Sequence, residues 1–178
     1  FGNTNSILGT LENFAVEVSK VDTCSVSEVA AALRPNTRMV FVETVANPGT
    51  QIPDLEAIGA LCRERGLVYV VDNTVTSPWL FQPRVVGASM IVNSLTKSIA
   101  GQGSALGGAV TDAGLYDWTT YPNIAANYRS GDAKTWGLAQ IRKKGLRDMG
   151  GALSSEHAHA IASGAETLPL RVDRASQT

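Results

Sequence analysis

Two residues suited to a demanding piece of chemistry stand near the ends of apolar runs. Asp72 closes the run Val70-Val71-Asp72-Asn73-Thr74, and Lys97 lies 25 residues later in Asn93-Ser94-Leu95-Thr96-Lys97. A lysine amine forms an imine with an aldehyde and can then move protons at the carbons of a bound amine, as base and acid in turn. An ionised carboxylate beside a pyridine nitrogen favours the protonated ring, which makes that ring an electron sink. These are the two protein groups that pyridoxal 5′-phosphate (PLP) most needs, so Lys97 and Asp72 are the candidate catalytic residues.

Further groups fit the same ligand. Ser94 and Thr96, within three residues of the lysine, offer hydroxyl and backbone donors for a phosphate. Asn47, in Ala46-Asn47-Pro48, offers a hydrogen bond to the phenolic oxygen of the ring, and Phe1 offers an aromatic face. Gly101, Gly103, Gly107 and Gly108 keep the chain behind the lysine slim.

Each residue alone has a plainer reading. Asp after a strand is commonly a turn former or helix cap, and a single lysine is commonly just solvated. Gly101-x-Gly103 with Gly107 imitates a dinucleotide fingerprint but does not sit between a strand and a helix. His157 and His159 are two apart and face different sides of any helix, which argues against a metal site.

The elements that must position these residues follow from the apolar pattern. Strands are expected at Phe14–Val18, Met39–Val42 and Leu67–Val71, with weaker ones at Met90–Val92 and Gly108–Val110. Helices are expected over Ser25–Leu33, capped by Ser25 or Ser27 and ended by Pro35, and over Asp54–Arg65, stopped by Gly66. Fully apolar strands alternating with amphipathic helices predict an α/β domain with a mostly parallel sheet and flanking helices. Ligands of such sheets bind beyond the carboxyl ends of the strands, where Glu43, Asp72 and Ser94 stand. The aromatic residues Tyr116, Trp118, Tyr121, Tyr128 and Trp136 mark a loop-rich segment at about 112–138. It is read as a surface loop packed onto the domain, with a substrate entrance as the alternative.

Composition narrows the class. The chain has 178 residues, 44% of them hydrophobic and 17% charged, and 15 basic against 16 acidic side chains leave a net charge of -1. That balance points away from disorder and from a nucleic-acid partner. The apolar runs fall short of the roughly 20 residues that span a bilayer. The opening Phe1-Gly2-Asn3-Thr4-Asn5 lacks a signal-peptide pattern, so the expectation is a cytoplasmic protein with no membrane partner. Cys24 and Cys62 are far apart in sequence and are read as free, largely buried thiols. A first residue that is not Met, with no closing element at Gln177-Thr178, reads as a piece of something longer.

Taken in order, several segments resemble the Cys/Met metabolism family of PLP enzymes. They are Glu43 through Asn47-Pro48, Val70-Val71-Asp72-Asn73-Thr74, Ser77-Pro78-Trp79-Leu80, Asn93-Ser94-Leu95-Thr96-Lys97 and Gly107-Gly108. The runs Gly145-Leu146-Arg147-Asp148-Met149-Gly150-Gly151, Ser154, and Glu166-Thr167-Leu168-Pro169-Leu170-Arg171 fit as well, so the resemblance covers nearly the whole chain.

The resemblance implies a type I, aspartate-aminotransferase-like fold, incomplete at both ends. Residues 1–178 would then be part of the large PLP-binding domain, without an N-terminal arm or a C-terminal small domain. It implies Lys97 as the Schiff-base lysine, Asp72 on the pyridinium nitrogen, Ser94 and Thr96 on the phosphate, Asn47 near the 3-oxygen, and Thr74 and Phe1 among the cofactor-binding residues. It implies trans-sulfuration in sulfur amino-acid metabolism: γ-replacement on an O-acylhomoserine, with an amino-acid substrate and a thiol, in a homotetramer built as a dimer of dimers. A γ- or β-lyase on cystathionine or methionine is the alternative. The family's usual Tyr is Phe1 here, a ring that can only stack. The family's upstream phosphate loop, the residues donated across its dimer and its downstream carboxylate-binding arginine have no counterpart. Two rivals are an inactive cofactor-binding or oligomerisation module and a nucleotide-binding α/β domain.

Overall fold

A computed structural model describes residues 1–178. Four strands form one sheet in the order β1 (Met39–Glu43), β2 (Val68–Asp72), β3 (Met90–Ser94) and β4 (Gly108–Asp112). The first three are parallel and β4 runs antiparallel to β3, so the sheet is mostly parallel as the apolar runs predict. In chain order the α-helices are α1 (Gly2–Leu11), α2 (Val26–Ala32), α3 (Leu55–Glu64), α4 (Ser77–Leu80), α5 (Trp136–Gln140), α6 (Ser155–Glu166) and α7 (Leu168–Ser176). A wide π-type helix, Ile141–Asp148, continues α5.

The helix ends are made by the expected chemistry. Ser25 caps α2 by accepting the Glu28 N–H, and Asp54 caps α3 by accepting the Ala57 N–H. Gly66, at φ +65, turns the chain out of α3 into β2, a conformation that glycine adopts without a Cβ penalty.

Strand alternation splits the core into two layers. Tyr69 and Val71 of β2 face Ile58 and Cys62 of α3, with Val42, Leu67 and Ala88 completing that cluster. Val68 and Val70 face the other way, onto Met90, Trp118 and Ile124. The aromatic segment therefore packs on the sheet, as the surface-loop reading has it. Trp118 is buried, donates its indole N–H to Asp112 Oδ2 at 2.9 Å, and meets Tyr116 and Tyr121 edge-on. A smaller third cluster, Ala100, Ala105 and Ile161, seats α6 on the turn that follows β3.

Two expectations are corrected. Phe14–Val18 is not a strand: residues 12–14 form a single 3₁₀ turn, no neighbouring strand pairs with the stretch, and Phe14 is 74% exposed. Residues 2–11, for which no element is expected, form α1, none of whose residues is buried. Cys62 is buried but Cys24 is exposed, because Cys24 precedes α2 and takes no part in the core. No helix is long and apolar enough to cross a membrane.

Candidate functional site

Parallel pairing brings the carboxyl ends of β1, β2 and β3 to one edge. Glu43 stands level with Asp72, and Asp72 level with Val92, two residues before Ser94. At about 3.3 Å per residue, Ser94 therefore lies about 7 Å further along its strand than Asp72. Ser94 pairs in turn with Gly108 at the start of β4.

Thr74 ties the two strand ends together. Its backbone N–H and its hydroxyl both donate to Asp72 Oδ1, at 2.9 and 2.5 Å, while its oxygen accepts the Ser94 N–H at 2.8 Å. Asp72 is thus held by one oxygen, and its Oδ2 has no hydrogen-bond partner in the chain. Beneath it, fully buried Asn73 donates to the Phe81 carbonyl, accepts from the Thr76 hydroxyl, and receives Asn93 Nδ2 on its own carbonyl. The Thr44 and Thr76 hydroxyls, 3.0 Å apart, extend this network to the end of β1. Buried amides and hydroxyls that satisfy one another in this way fix the strand ends without leaving unpaired polar groups.

Lys97 lies in the turn after β3. Its N–H donates to the Ser94 carbonyl at 3.2 Å and its carbonyl accepts the Gly101 N–H at 2.8 Å. The ammonium is exposed and makes no ion pair or hydrogen bond within the chain. Thr96 anchors the turn to β4: its hydroxyl accepts the Gly107 N–H at 3.0 Å and donates to the Gly107 carbonyl at 3.2 Å. The Thr96 proton is therefore committed to the backbone, whereas the Ser94 hydroxyl has no side-chain partner. A Cβ on Gly107 would stand 2.7 Å from Ile161 Cδ1, so the ends of the Ile161 and Leu153 side chains would have to shift to admit one.

On the β1 side, Glu43 Oε2 accepts the Asn47 N–H at 3.0 Å, leaving the Asn47 amide side chain without a partner in the chain. Phe1 has its ring half-exposed. Glu43 thereby places Asn47, a role the sequence suggested only through its position after β1.

A second region was a candidate on shape alone. A depression of about 620 Å³ lies among Arg34, Arg38, Arg65, Leu67 and Tyr116. It opens at the amino ends of β1 and β2, away from Asp72 and Lys97. Its arginines are engaged, Arg34 with Glu17, Arg38 with the Pro35 and Thr37 carbonyls, and Arg65 with Glu64. The chemistry therefore favours the carboxyl edge.

The donor set at that edge fits PLP. A carboxylate with one unengaged oxygen, an unpaired lysine, a serine hydroxyl and an asparagine amide are the groups that a pyridinium, an aldehyde, a phosphate and a phenolic oxygen would use. The comparison with known proteins agrees. The family model for Cys/Met metabolism PLP-dependent enzymes matches residues 1–178.

The chain belongs to that family.

Among members of this PLP-dependent family, the O-acetyl-L-homoserine sulfhydrylase of Corynebacterium glutamicum is 35% identical over 98% of this chain and 44% of its own length. The L-methionine gamma-lyase of Pseudomonas deceptionensis is 36% identical over 90% of this chain and 36% of its own. A solved structure from Campylobacter jejuni, containing N′-pyridoxyl-lysine-5′-monophosphate, superposes with a TM-score of 0.87 at 30% identity, over 99% of this chain and 46% of that one. The chain therefore spans less than half the length of these relatives, and over that span it has their α/β fold.

Missing from the sequence reading were the residues that hold the site rather than touch its ligand. Asn73 and Asn93 look like turn formers beside the noticed Asp72 and Ser94. Their one visible signal is a polar amide at the carboxyl end of an otherwise apolar run, Asn73 just past β2 and Asn93 within the last two residues of β3.

Proposed function

We propose that this chain is the central part of the cofactor domain of a trans-sulfuration enzyme, acting by γ-replacement on an O-acylhomoserine with a thiol. The observation that carries the reading is the joint placement of Asp72, fixed through Thr74, and unpaired Lys97 at one sheet edge. PLP, when bound, supplies an aldehyde for the lysine and a protonated ring that accepts the electron pair released at the substrate α-carbon.

The residues then divide the work. Lys97 Nζ would hold the cofactor and, once displaced by the substrate amine, would take the α-proton and then a β-proton, so that the γ-acyloxy group leaves as a carboxylate, the thiol adds at the γ-carbon, and protons return to the β- and α-carbons; such positioned transfer contributes about 10²- to 10⁴-fold. Asp72 Oδ2 holds the proton on the ring nitrogen, and the Thr74 bonds to Oδ1 keep that carboxylate oriented. Ser94 and Thr96 would hold the phosphate, while Asn47 would meet the 3-oxygen and Phe1 would stack on the ring. A cytoplasmic location and a homotetrameric dimer of dimers are parts of the same proposal, resting on the family alone.

A γ-lyase remains the second reading, favoured by the methionine gamma-lyase relative at 36% identity. Assay of the cofactor-loaded protein with O-acetylhomoserine plus sulfide, against methionine alone, separates the two. Thiol-dependent consumption of the ester supports replacement, and thiol-independent release of ammonia and a keto acid from methionine supports elimination.

A further inference from the structure

Helix α7 carries two polar side chains that reach in different directions. Arg171 and Asp173 are two residues apart, about 200° around a helix. Arg171 uses all three guanidinium nitrogens. Nη1 donates to the Ser98 carbonyl at 2.7 Å, Nη2 to the Ile99 carbonyl at 3.2 Å and the Gly164 carbonyl at 2.7 Å, and Nε to Thr167 Oγ1 at 3.0 Å. Ser98 and Ile99 are the two residues immediately after Lys97. A rigid fork spread over carbonyls from two segments is a task for arginine, since an ammonium presents a single point of attachment.

The surrounding backbone is shaped to the same contact. A Cβ on Gly164 of α6 would stand 1.9 Å from the Ala100 carbonyl oxygen, and a Cβ on Gly101 would stand 2.8 Å from Arg171 Nη1. Gly101 also has φ +63, so both glycines are demanded where α6 and α7 meet the lysine turn.

Asp173 reaches the other arm of the site. Its Oδ1 accepts the Trp79 indole N–H at 2.6 Å, and Trp79 belongs to α4, the next helix after Asp72 in the chain. Within that arm the Trp79 N–H bonds Ser77 Oγ, the Ser77 N–H bonds the Asn73 carbonyl, and Asn73 adjoins Asp72.

We propose that α7 is a strut between the two halves of the cofactor clamp, with Arg171 and Asp173 as positioning residues that hold the Lys97 turn and the Asp72 arm in register. This rests on the functional reading above. Neither residue touches the reacting atoms. Arg171 acts through the Ser98 and Ile99 carbonyls on the backbone that aims Lys97, and Asp173 acts through Trp79 on the segment behind Asp72.

The test uses the PLP-loaded protein and the variants R171M, R171K, D173A and W79F. Three quantities are read: pyridoxyl trapped on Lys97 by borohydride, visible circular dichroism per trapped cofactor, and the rate at which an added amino acid displaces Lys97. For R171M the strut predicts cofactor still trapped and far-ultraviolet dichroism unchanged, with weaker visible dichroism and displacement slowed about tenfold or more. R171K falls between R171M and the parent, and D173A and W79F shift in the same direction by less. Parent-like visible dichroism and displacement rates in both R171M and D173A, with only the melting temperature lowered, would overturn the inference. If R171M does not fold, D173A and W79F decide it by the same criterion. Absence of pyridoxyl on Lys97 in the unmodified protein would instead sink the functional reading, and the strut with it.

Discussion

The hydroxyl of Thr74 donates to Asp72 Oδ1 at 2.5 Å while accepting the Ser94 N–H at 2.8 Å, so the proposed ring-nitrogen partner is coupled to the strand that leads to Lys97. Thr74→Val would orphan the partly buried Ser94 N–H and leave the Asp72 carboxylate held only by the backbone N–H of residue 74. The expected cost is about 1 to 3 kcal/mol in urea unfolding. Thr74→Ser keeps both bonds and should stay within about 0.5 kcal/mol of the parent. Equal losses in the two variants would show that the methyl, not the hydroxyl, matters.

Gly59 of α3 lies against Val86 in the 3₁₀ turn Pro83–Val86, whose carbonyl oxygen would sit 1.9 Å from an added Cβ. Alanine improves helix propensity by about 1 kcal/mol, yet the clash is with backbone that cannot swing aside, so Gly59→Ala should destabilise by a net 1 to 3 kcal/mol, roughly. Gly9→Ala in α1 meets nothing within 4 Å and should be neutral or stabilising. Thermal unfolding of the pair measures the contrast, and matching shifts would contradict the packing described for α3.

The two thiols should behave differently. Burial pushes the Cys62 thiol up to about 12 from 9.0, while Cys24 is exposed. A maleimide at neutral pH should label Cys24 alone until the protein unfolds. Because the folded state keeps the Cys62 proton to higher pH than the unfolded chain, the resulting stability is present below about pH 9 and is lost as pH rises towards 12. Cys62→Ala should flatten that alkaline loss, as followed by urea midpoints against pH.

At the acid end, hydrogen bonds from Arg147 and Lys144 bring the Asp148 carboxyl down to about 2 from 3.8. The folded state then binds this proton less readily than the unfolded chain. Its contribution is complete above pH 3.8 and is lost as pH falls towards 2. Asp148→Asn should remove this part of the acid dependence, and added salt should weaken it in the parent because the pair is solvent-facing. An unchanged acid profile in the variant would count against the ion pair.

The sequence made the sheet legible where strands carry continuous apolar runs. Val68–Val71, buried on both faces, and Met39–Val42, at the sheet edge, show such runs, and their carboxyl ends locate Asp72 and Glu43 without further help. Ser25 and Gly66 announced their helix ends through local chemistry, whereas Asp54, expected as the first residue of its helix, is the cap just before it. What stayed hidden depends on long-range partners. Phe14–Val18 has the residues of a strand, but a strand needs a neighbour, and none pairs with it here. The commitment of Thr96 to Gly107 and the reach of Arg171 to Ser98 join residues 11 and 73 positions apart, which periodicity cannot see.

The central claim is that Lys97 carries PLP opposite Asp72. The direct measurement is to load the protein with PLP, reduce it with borohydride and map the modified peptide by mass. The account predicts one pyridoxyl group on the peptide containing Lys97, with loading weakened about tenfold or more in Asp72→Asn, where the charge on the ring nitrogen is lost. A pyridoxyl group found instead on Lys20, Lys134, Lys143 or Lys144, or none at all, would contradict it.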